Sequence, residues 1–143
     1  MRIYLDFDGT CVEHEYPKLG RCNFGCIEII EKLQNAGHEI ILNTYRSECK
    51  DNSLSEALKW INENNFMFVK DRARRETFEL KPITATIHKL NPLPWNLIDA
   101  IAYGDMYIDD TAFGIPLKPC CMILSSMVDW DALDKQFIEH KIY

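Results

Sequence analysis

Ile3-Tyr4-Leu5-Asp6-Phe7-Asp8-Gly9-Thr10 is the stretch whose reading decides the fold. Its apolar, β-prone run from Ile3 to Leu5 predicts a buried strand, and that run stops at two carboxylates, a glycine and a threonine. In an open α/β sheet, ligands bind beyond the carboxyl ends of the strands, which is where Asp6 and Asp8 fall. Carboxylates one residue apart can face one hard cation or one phosphorus centre, and Gly9 allows the backbone a sharp turn. An isolated Asp-x-Asp equally suits a solvated turn after an edge strand, because Asp and Gly are ordinary turn residues.

The composition sets the frame for that choice. With 143 residues, 47% hydrophobic and 27% charged, the chain has the make-up of a single folded domain with a sizeable core. A formal net charge of −6 argues against a nucleic-acid binder that works by general electrostatic attraction. No apolar stretch approaches the roughly 20 residues that span a bilayer, and no signal-peptide pattern precedes the first strand. A cytoplasmic protein with no membrane partner is therefore expected. The six cysteines, Cys11, Cys22, Cys26, Cys49, Cys120 and Cys121, read as reduced thiols, since a core of this size needs no staples. No Cys-x-x-Cys pair or histidine cluster completes a zinc site around Cys22 and Cys26.

Beyond a polar loop from Cys11 to Asn23, Ile27, Ile30 and Leu33 recur at helical spacing and predict a helix from near Phe24 to a Gly37 C-cap. His38 to Asn43 predicts a second strand running into Thr44, Tyr45 and Arg46, which is the strand-helix-strand rhythm of a parallel sheet. Ser53 and Glu56 read as a capping box for a helix ending around Glu63 to Asn65, and Phe66 to Val69 as a third strand. Over the segment 70–97 the pattern weakens, with Ile83 to Leu90 reading as strand or helix, Lys70, Arg72, Arg74 and Arg75 forming the most basic cluster, and that cluster reading as an anion-attracting rim or a solvated connection. A short helix over Ile98 to Tyr103 then precedes a strand, Met106 to Ile108, that ends in Asp109 and Asp110. A turn-rich loop from Gly114 to Pro119 leads to a fifth strand over Cys120 to Leu124. Asp129 or Asp131 caps a last helix with Leu133, Phe137 and Ile138 inward.

Three of these strands end in polar chemistry: Asp6 with Asp8, Thr44 with Arg46, and Asp109 with Asp110. In a parallel sheet those ends share one edge, so residues distant in sequence converge. Carboxylates gathered on one patch repel unless a cation joins them, and all-oxygen ligation suits Mg2+. A hydroxyl and a guanidinium beside such a set match a phosphate group.

On these residues the chain resembles the haloacid dehalogenase (HAD) superfamily. Asp6-Phe7-Asp8-Gly9-Thr10 is similar to its nucleophile motif, Thr44 to its second motif, and Tyr107-Ile108-Asp109-Asp110 to its acidic fourth motif, in agreeing order across residues 1–124. Asp6 to Gly20, through Val12-Glu13-His14-Glu15-Tyr16-Pro17, with Thr44-Tyr45-Arg46 and Ile108-Asp109-Asp110, more narrowly resembles a group of small capless HAD-type phosphatases. The resemblance implies a three-layer α/β/α Rossmann-like domain over 1–143, with a mainly parallel sheet of about five strands, no large cap, and 70–97 as an insertion or lid-like segment. It implies a phosphomonoesterase in which Asp6 is the nucleophile and Asp8 the general acid and base. Mg2+ would be held by Asp6, the Asp8 backbone carbonyl and Asp110, with Asp109 beside it. Thr44 would bind a phosphoryl oxygen and Arg46 would clamp the phosphate.

The sequence departs from the family at its third motif, a Lys or Arg shortly before the acidic strand. Ile98 to Asp105 holds no basic residue. Lys81, followed by Pro82, is the preferred replacement and is expected to bind substrate; Lys89, Lys70 and Arg46 are the others. The gap motivates a second reading, a catalytically weak HAD-like protein that binds a phosphorylated ligand or partner. A third is a receiver-type signalling domain, which would accept phosphate on Asp71 at the end of the third strand. The expected substrate is a phosphorylated small molecule, a sugar phosphate or a nucleotide, with a nucleic-acid end as the other candidate.

Overall fold

The computed structural model describes residues 1–71, 84–85, 105–120 and 125–143, with the backbone alone over 65–71 and 84–85. Strands β1 (Arg2–Leu5), β2 (Glu39–Leu42), β3 (Thr84–Ala85) and β4 (Asp105–Ile108) form a parallel sheet in the order β3-β2-β1-β4. The chain is thus a small α/β protein, as the strand-helix-strand rhythm predicts. Central β1 buries Ile3, Tyr4 and Leu5, whereas in its neighbours burial alternates, with Ile40, Leu42, Met106 and Ile108 buried and Ile41 and Tyr107 only partly so.

Register is what aligns the strand ends. Leu5 lies level with Leu42 on one side and Ile108 on the other, so Asp6, Asn43 and Asp109 all leave the sheet at one height. The ladder runs one step further: the Asp6 N–H donates to the Ile108 carbonyl at 2.9 Å, and the Asn43 N–H to the Leu5 carbonyl at 2.7 Å. Backbone hydrogen bonds therefore fix where the polar residues begin.

Among the described residues there are three α-helices, α1 (Cys26–Asn35), α2 (Ser53–Asp71) and α3 (Trp130–Glu139), and α1 packs against both others. Helix α1 opens at Gly25, in the left-handed region at φ 88°, directly after the exposed Phe24. It closes as the sequence predicts: with Gly37 at φ 87°, the His38 N–H reaches the Leu33 carbonyl and the Gly37 N–H the Gln34 carbonyl, each at 3.0 Å. Helix α3 is capped by Asp129, whose carboxylate accepts from the Ala132 N–H at 3.1 Å. Trp130, Leu133 and Phe137 face the core, but Ile138 is exposed, because it falls about 100° outside their stripe. None of the helices among the described residues is long and apolar enough to cross a membrane.

Three expectations need correction. Phe66 to Val69 is not a third strand; α2 runs through it to Asp71. A four-residue apolar run is ambiguous between strand and helix, and with no Gly or Pro after Ser53 the helix simply propagates. Asp71 is consequently a helical residue, and the receiver-type reading loses its strand-end acceptor. Ser53 starts α2 without acting as its cap; the Asp51 carboxylate takes the Ser53 N–H at 2.9 Å. Finally, Leu117–Pro119 is a strand, β5, and not loop; it pairs antiparallel with β6 (Ser126–Val128) in a separate two-stranded ribbon. Pro119, lacking an N–H, suits such an edge. Residues 121–124 of the expected fifth strand lie outside the described residues, as does the helix expected over Ile98 to Tyr103.

The loop after β1 has a structure of its own. Val12 bridges Cys22, the Glu13 N–H bonds the Arg21 carbonyl at 2.8 Å and the Asn23 N–H the Cys11 carbonyl at 2.9 Å. This narrow excursion leaves residues 14–20 at its tip. A Cβ on Gly20 would lie 2.0 Å from the Glu13 carbonyl oxygen, so only glycine allows the two arms to approach. The ribbon braces the base, where the Val128 N–H donates to the Gly9 carbonyl at 2.9 Å.

Candidate functional site

Asp6, Asp109 and Asp110 bring one carboxylate oxygen each within 4.8 Å of one another. The level ends of β1 and β4 account for this meeting of residues about a hundred positions apart. Burial pushes the Asp6 carboxyl well above the ordinary carboxylate range, and Asp109, Asp110 and Asp8 push it the same way against the Phe7 N–H. Burial raises Asp110 as well, opposed by its hydrogen bond from His14 and aided by Asp109. Asp109 is oriented by Thr111, whose N–H and hydroxyl donate to its Oδ1 at 2.7 and 2.6 Å. The Thr10 hydroxyl stands 3.4 Å from Asp6 Oδ2. Three carboxylates whose charges oppose one another at a partly exposed sheet edge form an all-oxygen donor set that fits a hard divalent cation. That chemistry does not distinguish Mg2+ from its neighbours.

Asp8 stands apart from this trio. Its two oxygens accept from Arg46, Oδ2 from Nε at 2.6 Å and Oδ1 from Nη2 at 2.7 Å, as a bidentate fork. Arg46 is 1% exposed. It also donates to the Pro17 and Lys18 carbonyls at 3.2 and 2.9 Å, and its guanidinium carbon lies 5.1 Å from the Phe7 ring centroid and 5.2 Å from that of Tyr16. Arg46, expected as an open phosphate clamp, directs four of its five guanidinium N–H groups at Asp8 and the loop carbonyls. Thr44 is buried at the end of β2, where its Oγ1 accepts from the Arg46 N–H at 3.4 Å and starts the 3-10 turn Tyr45–Glu48. Lys81, Lys89 and Arg72 to Arg75 lie outside the described residues, as does the side chain of Lys70. Among the described residues, no Lys or Arg pairs with Asp6, Asp109 or Asp110.

Sequence reasoning missed His14 as a site residue. Its Nε2 lies 2.7 Å from Asp110 Oδ2, a distance at which a ring N–H donates to a carboxylate. No periodicity marks His14; its signals are its place in the loop that follows the Asp-x-Asp strand and in the Asp6 to Gly20 stretch that carries the resemblance. The Asp8 and Arg46 pair was open to inspection as opposite charges after adjacent strands, but a guanidinium near a phosphate-type site invites the ligand reading first.

No protein-family model matches the chain, and no curated protein matches it. Among solved structures, that of a conserved protein coded by a locus from Bacteroides thetaiotaomicron is similar, with a TM-score of 0.54 and 28% sequence identity. The likeness covers 99% of this chain and 91% of that one.

Proposed function

We propose that the chain is a Mg2+-dependent HAD-type phosphatase that hydrolyses a phosphomonoester through an aspartyl-phosphate on Asp6. The observation that carries this is the gathering of Asp6, Asp109 and Asp110 oxygens within 4.8 Å at the carboxyl ends of adjacent parallel strands. With it goes the finer architecture that the resemblance implies, a three-layer Rossmann-like domain over 1–143 with about five sheet strands and no large cap. A cytoplasmic location belongs to the same reading.

Asp6 is the nucleophile: one of its oxygens forms a bond to phosphorus as the bond from phosphorus to the leaving oxygen breaks. Asp8 gives a proton to that leaving oxygen and then takes one from the water that releases phosphate and restores Asp6. The fork from Arg46 uses one lone pair on each Asp8 oxygen and leaves others for this exchange. Asp6, Asp109 and Asp110, with the Asp8 carbonyl, would hold Mg2+, whose charge offsets that of an anionic nucleophile meeting an anionic phosphate. Thr44 and, from the segment outside the described residues, Lys81 are the proposed substrate contacts. Hydrolysis of an aryl phosphate with Mg2+, abolished by Asp6→Asn and by a chelator, is the expected result; a folded protein with no turnover overturns the reading. Activity across sugar phosphates, nucleotides and 3′- or 5′-phosphorylated oligonucleotides then assigns the substrate class.

A second reading is favoured by the lack of a cation paired with Asp6 among the described residues. On it, the chain binds a phosphorylated ligand with little or no turnover. Mg2+-dependent binding of inorganic phosphate without hydrolysis of any ester would support it.

A further inference from the structure

We infer that Arg46 is a positioning residue that keeps the Asp8 carboxylate out of the metal-binding set. The chemical meaning rests on the phosphatase reading; the geometry stands without it. Asp8 is close enough to add to the repulsion at Asp6, yet it is absent from the trio formed by Asp6, Asp109 and Asp110. A divalent cation placed among three carboxylates recruits a fourth that is free to turn, because each added anionic ligand tightens the site. The Arg46 fork prevents that turn by taking both Asp8 oxygens, at 2.6 and 2.7 Å, and fixing the carboxylate plane.

Arg46 can do this because it is itself immobilised. Its outer nitrogens are tied to the Pro17 and Lys18 carbonyls, the rings of Phe7 and Tyr16 flank it, and its N–H is held by Thr44. A lysine in its place would supply one charge without the planar fork. A purely structural role, tying the loop tip to the end of β2, would lower stability on substitution but would not strengthen metal binding.

Calorimetric Mg2+ titration of the full chain therefore separates the two. Arg46→Met is expected to tighten Mg2+ binding by on the order of tenfold, and adding Asp8→Asn to reverse the gain. Aryl phosphate turnover should fall in Arg46→Met while KM changes little. Unchanged or weaker Mg2+ binding in folded Arg46→Met, or a gain that survives Asp8→Asn, overturns the inference, as does absence of Mg2+ binding in both proteins. If Arg46→Met does not fold, Arg46→Lys carries the same comparison with a smaller gain expected. A gain in Mg2+ affinity in a protein whose parent has no phosphatase activity would support the positioning role and sink the phosphatase reading.

Discussion

His14 Nε2 and Asp110 Oδ2 meet at 2.7 Å across a position that only glycine can fill. A Cβ on Gly9 would stand 2.3 Å from that nitrogen and 2.5 Å from that oxygen, and Gly9 has φ +81°. Gly9→Ala should thus cost twice, in backbone strain and in a broken contact, for a loss of about 1–3 kcal/mol in denaturant melts. Mg2+ affinity should fall with it, because Asp110 loses its orienting donor. In a His14→Ala background one of the two clashes is gone, so the same substitution should cost less; strict additivity would mean that the contact does not set the requirement.

Asn23 ties three elements together from a fully buried position. Its amide N–H groups donate to the Thr10 carbonyl at 2.9 Å and the Val128 carbonyl at 2.8 Å, and Trp130 Nε1–H reaches the same Thr10 oxygen at 2.8 Å. Asn23→Ala leaves the Val128 carbonyl without that donor, whereas Thr10 keeps Trp130. A loss of about 1–3 kcal/mol is expected, the cost of one buried unpaired carbonyl, read from urea melts at unchanged m-value. A loss within experimental error would show that water replaces the amide.

Much of this architecture was legible because its signals are local. Ile3 to Leu5 stopping at Asp6, Gly37 closing α1 and Asp129 capping α3 each rest on a few neighbouring residues. What was not legible depends on contacts across the fold. Phe66 to Val69 has the composition of a strand, but its fate is set by the helix it continues. Arg46 has the chemistry of a phosphate clamp, yet its partner is chosen by the loop tip that brings Pro17 and Lys18 over it. His14 acquires a role only because β1 and β4 are adjacent, which no spacing in the sequence states.

Tyr143 and Asp134 should shape stability at both ends of the pH scale. The Tyr143 hydroxyl donates to Asp134 Oδ1, which also accepts from Lys32 Nζ at 2.9 Å. Burial and Asp134 push the Tyr143 phenol well above its ordinary range; burial would raise Asp134, but Tyr143 and Lys32 outweigh it and hold it low. A raised phenol contributes stability that is complete below about pH 10 and fades above it, whereas a lowered carboxyl contributes stability that fades as pH falls below about 4. Tyr143→Phe should accordingly melt lower than the parent between these limits, with the two curves converging beyond them. A constant offset up to pH 11 would assign the difference to packing.

Asp6 should be a site where function opposes stability. Because its carboxyl is held well above the ordinary range by burial and by neighbouring anions, its favourable contribution exists only at acid pH and is lost as pH rises through the folded value. At neutral pH the metal-free protein then carries an unfavourable charge, and Asp6→Asn should melt higher than the parent, with the advantage vanishing as pH falls toward about 4. Added Mg2+ should reverse the order. Saturating the parent at about 100 times its Kd stabilises it by about 2.7 kcal/mol, while Asp6→Asn, lacking a ligand, gains much less. Thermal melts of both proteins with Mg2+ and with chelator measure all four states. A parent that melts alike in both conditions would remove the cation from the site, and an Asp6→Asn protein less stable than the chelated parent would mean that Asp6 is a structural carboxylate.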